Sequence, residues 1–540
     1  MRKTSANMMK WQWRLALSLF SVFLLFFSCG KRKELLKNQS NIVNISFRYT
    51  PLTIDPRKET DAITLVLSHM LYEGLYSLQP DGTLIPALSE HVEISKDQKE
   101  YTFFLKKSAW SDASPLTAYH FESAWKKLLD PSFNSSVSYL FFPIKNAEEA
   151  KIGECSTDEV CVKAIDDQTL FVQLKHPTPY FLELTAYPPF FPVPNNGDEV
   201  PYPNNCHTHL SNGPFKLSYW KDEDKIIVAK NDQYWNRDKI KVDEVQISIV
   251  SDETTALLLF NQGSLDYIGG FTSPLPVAAI AALEQSHDLY KTPDMGTTFA
   301  AFNVNKFPFG NLNIRKAFSK ALDKQAIIDN VSQMCDELAY SIVPNSLKKA
   351  VFKELQEYSS KDAIYHFELG LKELGINRKE FPLITYSYFT SELQRNLALA
   401  VQSQLKKVLD IEVRLDGRDL KTYLAKFYNH EFQIGQMSWV TKYYDPMCFL
   451  ERFVDKDSSY NCTGWENTEY QQLIKDSFFV EGEERSRLLS NAEQKLVDEV
   501  PVIPIYHFRS VYLTNPRMHG LAISPTGNMQ FDNVCFKSSQ

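Results

Sequence analysis

The chain lacks the motifs by which common exported or nucleotide-dependent enzymes announce themselves. It contains no G-x-S-x-G elbow, no H-E-x-x-H helix, no G-x-x-x-x-G-K-[ST] loop and no G-x-G-x-x-G turn. A strained nucleophilic serine, a helix-borne zinc pair and the two common phosphate cradles therefore have no basis in the sequence. His430-Glu431 has no second His at helical spacing, and the carboxylates fall into no recognisable acid/base pairing. An exported enzyme is left as the minor alternative. Repeats of 20–50 residues and low-complexity tracts are also missing, which excludes solenoids and propellers.

What is there begins with size: 540 residues, 44% hydrophobic and 23% charged, is a globular composition too long for one core, so two or more lobes are expected. Arg2, Lys3, Lys10 and Arg14 precede the apolar run LALSLFSVFLLFF (15–27) and then Ser28-Cys29-Gly30. Basic flank, short apolar stretch and small residue make an export signal over residues 1–28. Ser-Cys-Gly at that point resembles a bacterial lipobox, which would put a lipid on Cys29, with Phe26 and Phe27 departing from the usual pattern. Loss of residues 1–28 removes four basic and no acidic residues, leaving 54 basic against 66 acidic, a net charge of −12. Such a surface argues against nucleic acid as a partner.

Seven cysteines remain after Cys29. Cys155 and Cys161, in CSTDEVC, are close enough to close a small disulfide loop in an oxidising compartment, and the others read as buried small hydrophobes. CHTH (206–209) lacks a second ligand cluster and reads as a polar loop, so no metal is expected. Past a polar leader, short β-rich runs alternate with amphipathic helices, the pattern of α/β lobes with mixed sheets. Strands are expected at 41–49, 101–107, 168–174, 225–230 and 244–250, with another at 411–415. Helices are expected at 61–76, ending at Gly74, at 117–130 with Thr117 as N-cap, at 313–332 and at 391–410. YPPFFPVPNNGDEVPYPNNC, within 187–212, is too rich in Pro and Asn for regular structure and reads as a crossing between domains.

Several segments occur in a fixed order: LYEGLYSLQPDGTLIPALSE onward to SAWKKLLDP (71–131), VKAIDDQTLFVQLKHPTPYF (162–181), SNGPFKLSYW (211–220), KNDQYWNRDKIKVDEV (230–245) and FNVNKFPFGNLNIRKAFSKALDK (302–324). Together they resemble the peptide- and nickel-binding family of extracytoplasmic solute-binding proteins, the receptors of ABC importers, and above all its oligopeptide-binding members. The resemblance implies a bilobal periplasmic-binding-protein fold, hinged between its lobes. Residues 42–72, 197–256 and 509–540 would form lobe I, 73–196 an inserted domain and 257–508 the other lobe, after a linker over 29–41. It also implies a monomer without a cofactor, held at the periplasmic face of a bacterial membrane by its lipid, which passes a peptide or peptide-like molecule to a permease. A non-peptide solute on the same fold is the alternative ligand. Trp110, Trp125, Tyr234 and Trp235 read as core.

QMSWVTKYYDP (436–446) corresponds in peptide receptors of this family to G-W-x-x-D-Y-x-x-P, an extended run whose main chain pairs with the ligand backbone. Ser438, Trp439 and Val440 would supply that edge, lined by Trp439 and Tyr443. Thr60, Asp61, Ala62 and Tyr139 would approach the same cleft. The family's ammonium-capturing Asp is replaced by Lys442, and its carboxylate-receiving Arg and His correspond to Gln436 and Gln394. Two explanations stand for Lys442. Either it turns to solvent or pairs with Asp445 while Asp61 takes the ammonium, or the ligand presents an anionic or neutral group there.

Overall fold

Val43, Ile45 and Phe47 alternate along the first described strand and are fully buried, so one of its faces is committed to a core. The structure, a computed structural model, describes residues 41–58, 61–194, 198–203, 206–286, 289–348, 357–456, 458, 461–524 and 526–537. Cys29, Thr60 and the export signal lie outside the described residues.

Eleven strands join in one mixed sheet. Its order runs Phe215–Lys221, Lys225–Lys230, Glu244–Ile249, Ile42–Phe47, Tyr267–Gly269, Val502–Thr514, Tyr290–Phe302, Ile434–Val440, Ile384–Phe389 and Val413–Arg418, while Glu337–Leu338 pairs separately with Val502–Thr514. The N-terminal strand is parallel to Glu244–Ile249, in register from Ile42 opposite Glu244. The two 13-residue strands, Tyr290–Phe302 and Val502–Thr514, run antiparallel through the middle. Helices Leu312–Lys320, Ser360–Leu374 and Glu392–Leu409 cover the end of the sheet that holds Ile384–Phe389, burying Phe318, Phe367 and Leu397 against Phe302 and Tyr386.

A smaller antiparallel sheet, Ser89–Ile94, Glu100–Leu105, Thr169–Gln173 and Val162–Asp166, packs on helix Ala118–Leu129. Thr117 caps that helix with His120 in a reciprocal capping box. Trp125, fully buried, donates its indole N–H to the Phe190 carbonyl at 2.9 Å and so ties this layer to the Pro-rich crossing. Farther along the crossing, Val200 N–H donates to Asp55, whose carboxylate also pairs with Arg57, and Arg57 donates in turn to the Asp198 carbonyl. Asp55 and Arg57 are both fully buried, and each satisfies groups the other leaves, which is the condition under which a buried pair holds. Trp110 and Tyr234 are buried as expected, while Trp235 is half-buried with its indole N–H on Glu73.

Three expectations are corrected. The helix that begins at Ala62 ends at Leu71, short of Gly74, because the Leu71 carbonyl accepts the N–H groups of Asn212 and Gly213 and the chain turns extended at Tyr72. The 313–332 stretch breaks into Leu312–Lys320 and Lys324–Ile327, followed by a π turn, where Asp323 starts a new N-cap. Cys155 and Cys161 are separate thiols directed at the carbonyls of Asn146 and Glu159, so the small loop is not closed by a disulfide.

Candidate functional site

Ile434–Val440 reads IGQMSWV, β-prone and apolar enough to be buried along most of its length. Seven residue pairs join it antiparallel to Tyr290–Phe302, from Phe302 opposite Ile434 to Gly296 opposite Val440. On the other edge only Ile434 and Gly435 pair with Ile384–Phe389. From Gln436 to Val440 the strand therefore has a strand neighbour on one side alone among the described residues. Gly296 makes this approach possible, since a Cβ there would sit 2.2 Å from the Trp439 carbonyl oxygen and 2.3 Å from the Phe508 ring.

Gln436 and Gln394 are brought together, but inside the protein. Gln436 is fully buried; it donates to the Gln394 side chain, accepts from Tyr386 Oη at 2.9 Å and, through its carbonyl, from Tyr423 Oη at 2.5 Å. The Gln436 amide thus has its nitrogen and its oxygen both engaged within the protein. Ser438 exchanges a 2.8 Å hydroxyl hydrogen bond with Thr298. Trp439 is only 6% exposed, edge-on to Phe299 at 4.5 Å, with the Arg452 guanidinium 4.5 Å from its ring centroid. Val440 is exposed.

Beyond the strand the chain turns sharply. Tyr443 stacks on Tyr180 at 4.7 Å with the rings 13° from parallel. Asp445 accepts Met447 N–H at 2.9 Å and both terminal nitrogens of Arg485, at 2.6 and 2.9 Å. The side chains of this pair are 11% and 12% exposed, so the expectation that Lys442 pairs with Asp445 is corrected: the fork of Arg485 satisfies both carboxylate oxygens. The Lys442 ammonium lies 5.8 Å from the centre of the Tyr187 ring, and its main-chain N–H donates to Cys448 Sγ.

Asp61 is turned to its own helix, where it caps Ala62–Leu71 by accepting from Ile63 N, Thr64 N and Thr64 Oγ1 at 2.8 to 3.1 Å. Ala62 opens that helix, half-buried. Tyr139 comes into the site from the smaller layer, its hydroxyl 3.5 Å from an Arg452 nitrogen. Beside it lies a cavity of about 490 Å³, with Tyr139, His176, Tyr180, Glu451, Arg452 and Phe478 on its walls. Burial pushes the Glu451 carboxyl up to about 7 although Arg452 pulls the other way; Tyr180 Oη reaches it at 3.4 Å.

Sequence reasoning missed Tyr180, Tyr187, Glu451, Arg452 and Arg485. One signal was present: Glu451-Arg452 interrupts the apolar run MCFLERFV, and two charges within a buried stretch mark a place where charge is used. Among the described residues no group of three or more His, Cys, Asp or Glu is arranged to hold a metal.

The model of the family described as bacterial extracellular solute-binding proteins, family 5 Middle, matches residues 83–461. The oligopeptide-binding protein OppA of Bacillus subtilis (strain 168) is 34% identical, over 98% of this chain and 100% of its own. The dipeptide-binding protein DppE of the same strain is 33% identical over 92% of each chain. The solved structure of Listeria monocytogenes OppA bound to peptide matches with a TM-score of 0.75 at 29% identity, covering 93% of this chain and 100% of that one.

Proposed function

The chain belongs to the bacterial extracellular solute-binding proteins of family 5 and has their bilobal α/β fold, and on that premise we propose that it is the receptor of an ABC importer that captures peptides between its lobes. The observation that carries this reading is the run from Gln436 to Val440, paired with a strand on one side only among the described residues, with Trp439 packed on Arg452 in the wall of a cavity of about 490 Å³. A ligand laid along that edge as an added strand bonds through N–H and C=O groups that every peptide has, while a roomy cavity accepts varied side chains. Binding without turnover, and not catalysis, is the function of such a site.

In this reading Ser438, Trp439 and Val440 supply the edge, with Tyr443, Tyr139, Asp61 and Ala62 around it; Gln394 and Gln436 shape the strand from behind. Lobe I comprises 42–72, 197–256 and 509–540, the inserted domain 73–196 and the second lobe 257–508, and crossings between them act as the hinge. A lipid on Cys29 tethers a monomer beside its permease, raising the local concentration there.

The engaged acids around Lys442 set the ligand's polarity. With Asp445 held by Arg485 and Asp61 engaged as a helix cap, neither acid is poised for a ligand ammonium. The favoured ligand is neutral or anionic at that end: a blocked or modified peptide, or a peptide-like solute. Native mass spectrometry of the purified protein tests the reading directly. One unmodified peptide-like ligand per chain is expected; stoichiometric conversion of it, or a bound solute without amide bonds, overturns the peptide reading. Incorporation of labelled fatty acid, lost in Cys29→Ala, tests the anchor.

A further inference from the structure

We infer that Arg452 is a specificity-determining residue of this cleft, its guanidinium receiving a carboxylate of the captured ligand. The inference rests on the peptide-receptor reading and deepens it.

The side chain is placed for that work. Arg452 follows the short helix Met447–Leu450 and lies on the wall of the 490 Å³ cavity, half-buried. The face of its guanidinium is held over the Trp439 ring at 4.5 Å, which orients the plane and leaves its edge for acceptors. Its one hydrogen bond is long, 3.5 Å to Tyr139 Oη, and its Nε is buried without an acceptor. Among the described residues no carboxylate lies within ion-pair distance of it, Glu451 included. The indole N–H of Trp439 is likewise buried without a partner.

The other charges on the cavity wall are accounted for. Lys175 is bound to Glu148 at 3.0 Å and to Glu149 at 3.2 Å. His176 directs Nδ1 at the Pro177 carbonyl and packs on Phe478. Glu451 is turned to the Tyr180 hydroxyl, and Asp455 is exposed. Arg452 is thus the wall cation with donor capacity left over, and a planar, bidentate acceptor matches its fork. A carboxylate fits that description; whether it is the ligand's terminus or an acidic side chain is a difference of source only.

The test compares wild type, Arg452→Gln and Arg452→Lys against N-acetylated tetrapeptide pools, by competition in native mass spectrometry with affinities from calorimetry. One comparison sets free C-terminal carboxylates against C-terminal amides; the other sets Glu-containing against Gln-containing amides. Wild type should prefer the acid form in one comparison by at least tenfold. Arg452→Gln should lose that preference while keeping its affinity for the uncharged pool, and Arg452→Lys should keep part of it. Equal binding of acid and amide by wild type, or an unchanged preference in Arg452→Gln, overturns the inference and leaves the receptor reading intact. Failure of every pool to bind wild type overturns both. Thermal melting of each variant separates misfolding from lost recognition, since a purely structural Arg452 would lower affinity for charged and uncharged pools alike.

Discussion

Replacing Arg485 by Ala tests which cation holds the turn after the site strand. At an effective dielectric of about 20, two unit charges 4 Å apart attract by about 4 kcal/mol, and the forked contact of Arg485 with Asp445 at 2.6 and 2.9 Å is closer than that. Desolvation takes back much of the gross attraction, so the pair's net value is smaller than the cost of breaking it. Stripping one partner leaves the other buried without its counter-charge, which costs about 3–5 kcal/mol in buried pairs. With side chains 11% and 12% exposed and Met447 N–H still bonded to Asp445, the lower end applies, about 3 kcal/mol. Lys442→Ala removes a half-buried cation 5.8 Å from the centre of the Tyr187 ring, a contact worth about 0.5–2 kcal/mol. Urea unfolding followed by tryptophan fluorescence gives both numbers, and a double-mutant cycle with Asp445→Asn gives the coupling. Coupling above about 1.5 kcal/mol is expected with Arg485 and near zero with Lys442. If Lys442→Ala is as costly as Arg485→Ala, or couples as strongly to Asp445, the reasoning is refuted and the cleft charge must be reassigned.

Asp61→Ala should cost about 1 kcal/mol through loss of the N-cap, whereas Asp61→Asn should retain most of it; equal losses in a thermal melt would mean the negative charge, and not the cap, matters. Gly296→Ala should destabilise by about 1–3 kcal/mol and weaken ligand binding, because the new Cβ displaces the Trp439 backbone, so a variant with normal affinity and melting temperature would contradict the packing. Burial raises the Glu73 carboxyl from 4.5 to about 7; the folded state thus holds a proton the unfolded chain has released, and this contribution to stability is full below pH 4.5 and lost as pH rises through 7. His69, lowered to about 3 by burial, acts in the opposite sense, so the profile of Glu73→Gln minus wild type is the quantity to measure: it should rise between pH 4.5 and 7, and a flat difference would show that Glu73 titrates normally.

Local chemistry was the legible part of the fold. Lys225–Lys230 matches its expected boundaries, and the Thr117 cap, the Asp130 end before Pro131 and the 391–410 helix follow from propensity and capping alone. What failed was decided by distant chain. The Leu71 carbonyl meets N–H groups from residues 212 and 213, a partner that no window around Gly74 contains. The site shows the same division. The strand-forming run around Trp439 was legible, but Asp445 finds its cation 40 residues later in Arg485, and nearness in sequence pointed to Lys442 instead. Gln436 and Gln394 were matched to cleft positions by resemblance, and their burial against each other is a property of packing that residue type does not carry.

The order of the large sheet has a consequence in time. Asn41 bonds Asp243, 202 positions farther along the chain, and the N-terminal strand is flanked by Glu244–Ile249 and Tyr267–Gly269. A ribosome adding about 5–20 residues per second delivers those neighbours roughly 10–40 s after Val43, Ile45 and Phe47 emerge. The central strand Val502–Thr514 arrives later still. Throughout that interval an apolar strand with two unpaired edges is available to wrong partners, so the chain can neither complete its core early nor be left unattended. Delayed closure leaves residues 42–47 without their sheet neighbours until the chain beyond Tyr267 has been made.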